Sequence, residues 1–145
     1  MFLTILIYEV PIKLHHLIGI QYYRNKQPSE CLREPVYLLH NSNTFTIVMN
    51  KRKNRKLHKQ IVYKIKNSIV NKILLQYLAN YKKNNTSLMF SAASGKKLSK
   101  SNISNGLMNF TTKLLDVPIT IHDIRLVYQK LPEYNEDLNK EVFIF

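Results

Sequence analysis

The feature that most constrains the fold is a pair of extended segments separated by a basic turn. Residues 44–50 (TFTIVMN) alternate in polarity and are rich in β-branched side chains, which is typical of a half-buried strand. Residues 59–65 (KQIVYKI) have the same character. Between them, KRKNRK at 51–56 combines dense like charge with Asn54, and both features suit the tip of a hairpin. The sequence therefore predicts an antiparallel hairpin with a strongly basic tip.

Shorter elements are predicted before this hairpin. Residues 2–9 have the apolar composition of the end of a buried helix, which Pro11 interrupts. Apolar residues at spacings of three and four then predict a short helix over 13–21. Residues 36–39 are expected to form a short extended piece, and Pro35 favours an extended residue before it.

Three helices are predicted after the hairpin, over about 69–82, 102–115 and 121–131. Their expected N-caps are Ser68, either Ser99 or Ser101, and Thr120. The residues expected to face the core are Ile69, Ile73, Leu74, Tyr77, Leu78 and Tyr81 in the first helix and Ile103, Leu107, Phe110 and Leu114 in the second. Pro132 is expected to end the third.

These elements predict an α+β fold, mostly helical, with a small antiparallel β-hairpin or three-stranded sheet on one edge. A chain of 145 residues with 45% hydrophobic residues is long and apolar enough for one domain with a real core. We assign residues 1–131 to that domain and residues 132–145 to a C-terminal tail.

The charge balance indicates a polyanionic partner. The chain has 22 Lys and Arg residues against 9 Asp and Glu, a formal net charge of +13, which makes nucleic acid the first candidate. A second explanation stays open. Lys, Asn and Ile are abundant and are encoded by AT-rich codons, so the genome's base composition alone could raise the lysine content. The same bias suggests a virus or mobile element.

The single cysteine, Cys31, excludes an intrachain disulfide and favours a reducing, intracellular compartment, with nucleus and cytoplasm both open. No local signature marks it as a nucleophile. The apolar N-terminus is shorter than the roughly 20 residues of a membrane span and lacks the features of a signal peptide. We expect no membrane association, no metal site and no cofactor.

The segment KLSKSNISNGLMNFTTKLLDVPITIHDIRLVYQKL at 97–131 contains the motif His-x-x-Arg at His122 and Arg125. With its preceding helix and its Pro-Ile-Thr-Ile entry, this stretch resembles the one that leads into the His-x-x-Arg box of tyrosine recombinases, the phage-type integrases. The order of helices around a basic hairpin is also similar to that of the family's catalytic domain. The resemblance covers about residues 2–131 and implies DNA as the partner and DNA integration or recombination as the process.

The resemblance implies roles for His122 and Arg125. In this family a tyrosine attacks a DNA phosphodiester, and an arginine fork binds the non-bridging oxygens of the transition state. Arg125 would supply that fork, while His122 would add a hydrogen bond or handle the proton of the tyrosine. The two residues share one face at a helix N-terminus, where a phosphate is favoured. The alternative is a surface arginine beside a capping or core histidine.

The hairpin is the second point of resemblance. The family places on it a lysine that protonates the leaving 5′ oxygen of DNA. Lys51 or Lys53 would fill that role, and we favour Lys51. The residues expected to contact DNA are Lys51, Arg52, Lys53, Arg55, Lys56, Lys59 and Lys100. A merely solvated tip is the alternative for any one of these lysines.

The chain departs from the family pattern in two places. Lys13 stands where the family has its first catalytic arginine, and it keeps the charge without the bidentate fork. His16 stands where a glutamate is expected. Counted from Arg125, the nucleophilic tyrosine would fall beyond Phe145, whereas Tyr128 and Tyr134 lie too close.

We therefore expect a recombinase-like DNA-binding protein that is inactive alone. Its partners would be DNA together with further copies of itself, or an intact recombinase that supplies the tyrosine. The alternative is a basic nucleic-acid-binding or interaction module unrelated to recombinases.

Overall fold

The computed structural model describes residues 14–54 and 56–130, apart from the side chains of Leu14, Arg125, Tyr128 and Gln129. Several features of the sequence analysis lie outside the described residues, namely the helix end at 2–9, Lys13, Arg55, Tyr134 and the tail at 132–145.

A four-stranded mixed sheet forms one layer of the fold. Its strands lie in chain order, namely β1 (Gln21–Arg24), β2 (Val36–Asn41), β3 (Thr44–Lys53) and β4 (Lys56–Lys64). β1 pairs with β2 in parallel, and the other two pairings are antiparallel. The α+β class is confirmed, but the sheet has four strands and is mixed, where the sequence predicted at most three antiparallel strands.

The strand that the sequence analysis missed is β1. Gln21 was predicted to belong to the helix over 13–21, but the helix ends at Gly19 and Gln21 starts the strand. β1 is held on both sides by residues distant in the chain. It pairs with β2 on one side, and on the other Tyr22 N donates to Ser87 O at 2.7 Å. A four-residue strand fixed by such contacts has little signature of its own.

The hairpin of β3 and β4 is confirmed, and its strands run further into the basic segment than predicted. Beyond the pair Met49↔Ile61, the ladder continues through Lys51↔Lys59 to Lys53↔Lys56, with a register shift after Lys51. Asn54 turns the chain with a φ of 50°, a left-handed conformation that asparagine tolerates.

The second layer consists of helices α1 (Leu14–Gly19), α2 (Ser68–Asn80), α3 (Lys100–Leu115) and α4 (Ile121–Lys130). Ser99 caps α3, and Thr120 Oγ1 accepts from Asp123 N at the start of α4, so both predicted caps are confirmed. The cap of α2 is Asn67 and not Ser68. The side-chain oxygen of Asn67 accepts from the amides of Ile69 and Val70.

The main core lies between the helices and one face of the sheet. Each element contributes to it, for example Leu17 from α1, Leu38 from β2, Ile47 from β3, Leu74 from α2, Ile103 from α3 and Ile124 from α4. A smaller cluster on the opposite face of the sheet contains Cys31, Tyr37, Leu39 and Val48. Both faces of the two central strands are therefore covered.

Four residues predicted to face the core are exposed, namely Ile69, Tyr81, Phe110 and Leu114. In α2 the buried residues are Val70 and Leu74, which share one face, whereas Ile69 lies off that face and Tyr81 follows the last helical residue. In α3 the apolar residues that were predicted to face the core continue past the edge of the core after Leu107. Buried Thr111 takes their place, and its hydroxyl accepts from Ile119 N at 2.9 Å where the chain folds back.

Candidate nucleic-acid interface

Positive charge is concentrated in the central part of the chain. Residues 35–115 contain no Asp or Glu, and most of the 22 Lys and Arg residues lie among them. The β3–β4 hairpin carries the densest group. Arg52, Lys53, Lys56 and Lys59 are exposed, and Lys51 is partly exposed. Because no carboxylate in this segment balances these charges, the hairpin is a source of positive potential.

The pleat of β3 sends Lys51 and Arg52 to opposite faces of the sheet. Met49 belongs to the main core, and Lys51 follows it by two residues, so both side chains lie on the helix-bearing face. Ile121 and Ile124 of α4 pack into the same core cluster as Met49. The predicted hairpin lysine and the helix of the His-x-x-Arg motif therefore lie on the same side of the sheet.

Arg52 holds a loop on the opposite face. One terminal nitrogen of its guanidinium donates to the carbonyl oxygens of Leu32 and Arg33, the latter at 2.7 Å. We predicted Arg52 as a DNA contact from its charge alone. The geometry adds a structural role, because the guanidinium fixes the loop that carries Arg33 beneath the hairpin.

Asn50 and Gln60 continue this attachment, and the sequence analysis did not single them out. Asn50 is buried, and its Nδ2 donates to the carbonyl oxygens of Cys31 and Glu34 at 2.7 and 2.9 Å. Gln60 Nε2 donates to Asn50 Oδ1 at 2.9 Å and to Pro28 O at 3.0 Å. The available signal was a pair of carboxamides, each at the point where its strand changes between apolar and basic residues.

His122 and Arg125 lie in the first two turns of α4. The side chain of His122 is exposed, whereas that of Arg125 lies outside the described structure. Asp123 is engaged in capping, since its Oδ2 accepts from both the amide and the hydroxyl of Thr120. These hydrogen bonds to Thr120, with a smaller contribution from His122, lower the pKa of the Asp123 carboxyl. Asp123 is therefore an anion that closes the helix end beside His122.

Of the remaining predicted site residues, Lys100 is exposed at the first position of α3, while Lys13 and Arg55 lie outside the described residues. Cys31 is buried, and burial raises the pKa of its thiol, which makes it a poor nucleophile.

Among residues 14–54 and 56–130, no group of three or more His, Cys, Asp and Glu side chains is arranged to hold a metal ion. Within the same residues, no helix combines the length and the apolar character that crossing a membrane requires.

Comparison of the chain with protein-family models, with curated proteins and with solved structures finds no match.

Proposed function

We propose that this protein binds DNA as a tyrosine-recombinase-like domain of the integration and recombination class. The β3–β4 hairpin would contact the phosphate backbone, and the start of α4 would present His122 and Arg125 to a phosphate. The activity proposed for the domain itself is binding, with strand exchange carried out together with other recombinase subunits.

The observation that carries this proposal is the form of the basic hairpin. Its ladder continues past the last core pair, Met49↔Ile61, through lysine pairs at Lys51↔Lys59 and Lys53↔Lys56. The ladder therefore sets cationic side chains beside one another along two strands, and a surface of this kind suits a polyanion. A two-stranded ribbon of this kind also fits the major groove of B-DNA.

The position of α4 supports the recombinase-like part of the proposal. Its first turn is ordered by the Thr120–Asp123 capping pair, so the exposed His122 is held in one place. This helix and Lys51 lie on the same side of the sheet. A phosphate bound on this side of the sheet would meet Lys51 and His122, since the Asp123 carboxylate already occupies the N-terminus of α4.

The test measures the affinity for duplex DNA by fluorescence anisotropy over a range of salt concentrations. Lys51→Ala, Lys53→Ala and Arg125→Ala should each weaken binding, and each lost phosphate contact should reduce the log–log salt slope by about one. Lys72→Ala and Lys113→Ala are matched controls, since both lysines are exposed on helices and carry the same charge.

If the hairpin variants behave like these controls, the hairpin is not the DNA-binding surface. If the hairpin lysines matter while Arg125→Ala behaves like a control, DNA binding stands and the recombinase-like role of α4 is wrong. The protein would then be the unrelated basic module considered as the alternative.

A further inference from the structure

A cleft of about 510 Å³ opens at the base of the hairpin, within the size range of small-ligand sites. Its lining combines four kinds of residue, namely a lysine (Lys97), two histidines (His15 and His16), a glutamate (Glu34), and apolar residues that include Pro35 and Leu88. The two imidazole rings are adjacent, with centroids 4.1 Å apart. None of these residues has a role in the proposed hairpin contacts.

The wall of the cleft is fixed directly to the hairpin. Pro35 O accepts from Asn50 N at 2.8 Å, and Val36, which also lines the cleft, pairs with Met49. Val36 and Met49 share the core-facing side of the sheet, and Lys51 follows on that same side. Lys51 therefore lies on the same side of the sheet as the Val36 wall of the cleft, two residues beyond Met49, the partner of Val36.

Lys97 reaches the cleft across a glycine. Its Nζ lies 3.2 Å from the point that a Cβ at Gly19 would occupy, and Lys97 Cε lies 3.6 Å from that point. The ammonium thus lies against the end of α1 in space that a side chain at position 19 would take. A larger side chain at position 19 would therefore fill part of the cleft without changing any charge.

The mixture of groups limits the class of ligand. A lysine together with two histidines in one lining suits a phosphate, whereas the carboxylate of Glu34 repels phosphate and accepts hydrogen bonds from amino groups. The apolar wall suits a flat ring. A nucleotide whose base carries an exocyclic amino group, as in cytosine, satisfies all three requirements.

We propose that the cleft binds one unpaired nucleotide of DNA, with its phosphate at Lys97 and the amino group of its base at Glu34. The nucleotide must be unpaired because the amino group and ring faces of a stacked base pair cannot enter a cleft. This inference rests on the proposed DNA-binding function and adds to it a preference for single-stranded segments and for amino-bearing bases.

The experiment compares short oligo(dC) with oligo(dT) by fluorescence anisotropy, with circular dichroism to confirm folding. The wild-type chain should bind oligo(dC) more tightly by about fivefold or more. Lys97→Ala should weaken oligo(dC) binding by about fivefold and lower the salt slope by about 0.7, the value for one phosphate of a single strand. Gly19→Leu should weaken it similarly with the charge unchanged.

Two further variants separate the roles within the cleft. Glu34→Ala should remove the preference for oligo(dC), because the acceptor for the amino group is gone. Lys96→Ala is the matched control, since Lys96 is exposed, carries the same charge and does not line the cleft. If Lys97→Ala equals Lys96→Ala, or if the wild-type chain shows no preference for oligo(dC), the proposal is overturned.

A free nucleotide distinguishes failure of this inference from failure of the proposed function. Binding of dCMP is followed through the amide NMR signal of Gly19. If dCMP shifts this signal in the wild-type chain but Lys97→Ala leaves oligo(dC) binding unchanged, the cleft serves free nucleotides and its assignment to DNA is overturned. If the hairpin variants weaken duplex binding while Lys97→Ala binds oligo(dC) as well as Lys96→Ala does, the proposed function stands while the cleft inference falls.

Discussion

At the scale of single residues, His40 links the stability of the fold to pH. The residue is 6% exposed, and its ring stacks on Phe45 at a centroid distance of 4.5 Å. A hydrogen bond of 3.1 Å joins its Nδ1 to Tyr22 Oη. Its Nε2 is buried without a hydrogen-bond partner in the described structure. Burial lowers the pKa of His40, the charge of Arg24 acts in the same direction, and the backbone of Ser42 opposes them.

A lowered pKa means that the unfolded chain binds this proton more readily than the folded one. The contribution of neutral His40 to the free energy of unfolding is therefore fully present above the unfolded pKa of about 6.5. This contribution is lost as the pH falls below that value, toward the lowered pKa of the folded state. We expect urea denaturation to show a free energy of unfolding that decreases from pH 7.5 to pH 5.5, with His40 contributing at most about 1.4 kcal/mol per pH unit. The depressed pKa of Asp123 acts only below about pH 4 and does not overlap with this range.

His40→Gln should flatten this decrease, whereas His58→Gln, which changes an exposed histidine on β4, should leave it intact. Equal slopes for the wild-type chain and His40→Gln would exclude His40 as the source of the pH dependence.

At the scale of elements, the features that could be predicted are those that a local sequence pattern specifies. The hairpin follows from alternation and from Asn54, and two of the three helix caps follow from side chains that accept hydrogen bonds from backbone amides. β1 and the loop under β3 follow from distant contacts, such as Asn50 Nδ2 with Cys31 O, that no local window contains. The exposed Phe110 shows the same limit, because an apolar stripe does not reveal where the core stops.

The candidate site, like the fold, could be predicted from the sequence only in part. Lys51 could be placed at the end of a strand from the sequence, but the side of the sheet that it shares with α4 required the register. The cleft could not be predicted, since His16, Glu34 and Lys97 come from three separate parts of the chain.

The N-cap of α2 gives a direct test of one correction. Asn67 Oδ1 accepts from Ile69 N at 2.9 Å and from Val70 N at 3.2 Å, so Asn67→Ala should leave these amides without their side-chain acceptor. We expect a loss of about 1 kcal/mol in the free energy of unfolding, measured by urea denaturation. Ser68→Ala should have little effect, because Ser68 is exposed at the first helical position. A larger effect at Ser68 than at Asn67 would restore the cap that the sequence predicted.

At the scale of the whole molecule, the net charge of +13 has two opposing consequences. It attracts a polyanion, and it also destabilises the folded chain by self-repulsion, because folding brings the lysines of β3, β4 and the helices closer together. Salt screens both effects, with a Debye length of about 10 Å at 0.1 M. The stability of the free protein and its affinity for DNA should therefore respond to salt in opposite directions.

We accordingly expect the melting temperature of the free protein to rise from low to moderate sodium chloride concentration, and the stabilisation by a fixed concentration of DNA to be largest at low salt. Replacing Lys72, Lys83 and Lys113 together by Gln should raise the melting temperature at low salt and flatten its salt dependence, since all three are exposed and lie outside the hairpin. The hairpin's contribution to DNA affinity should survive this change. A salt-independent melting temperature in the wild-type chain would mean that the lysines are already far enough apart to be screened by water, and the excess charge would then act only on binding.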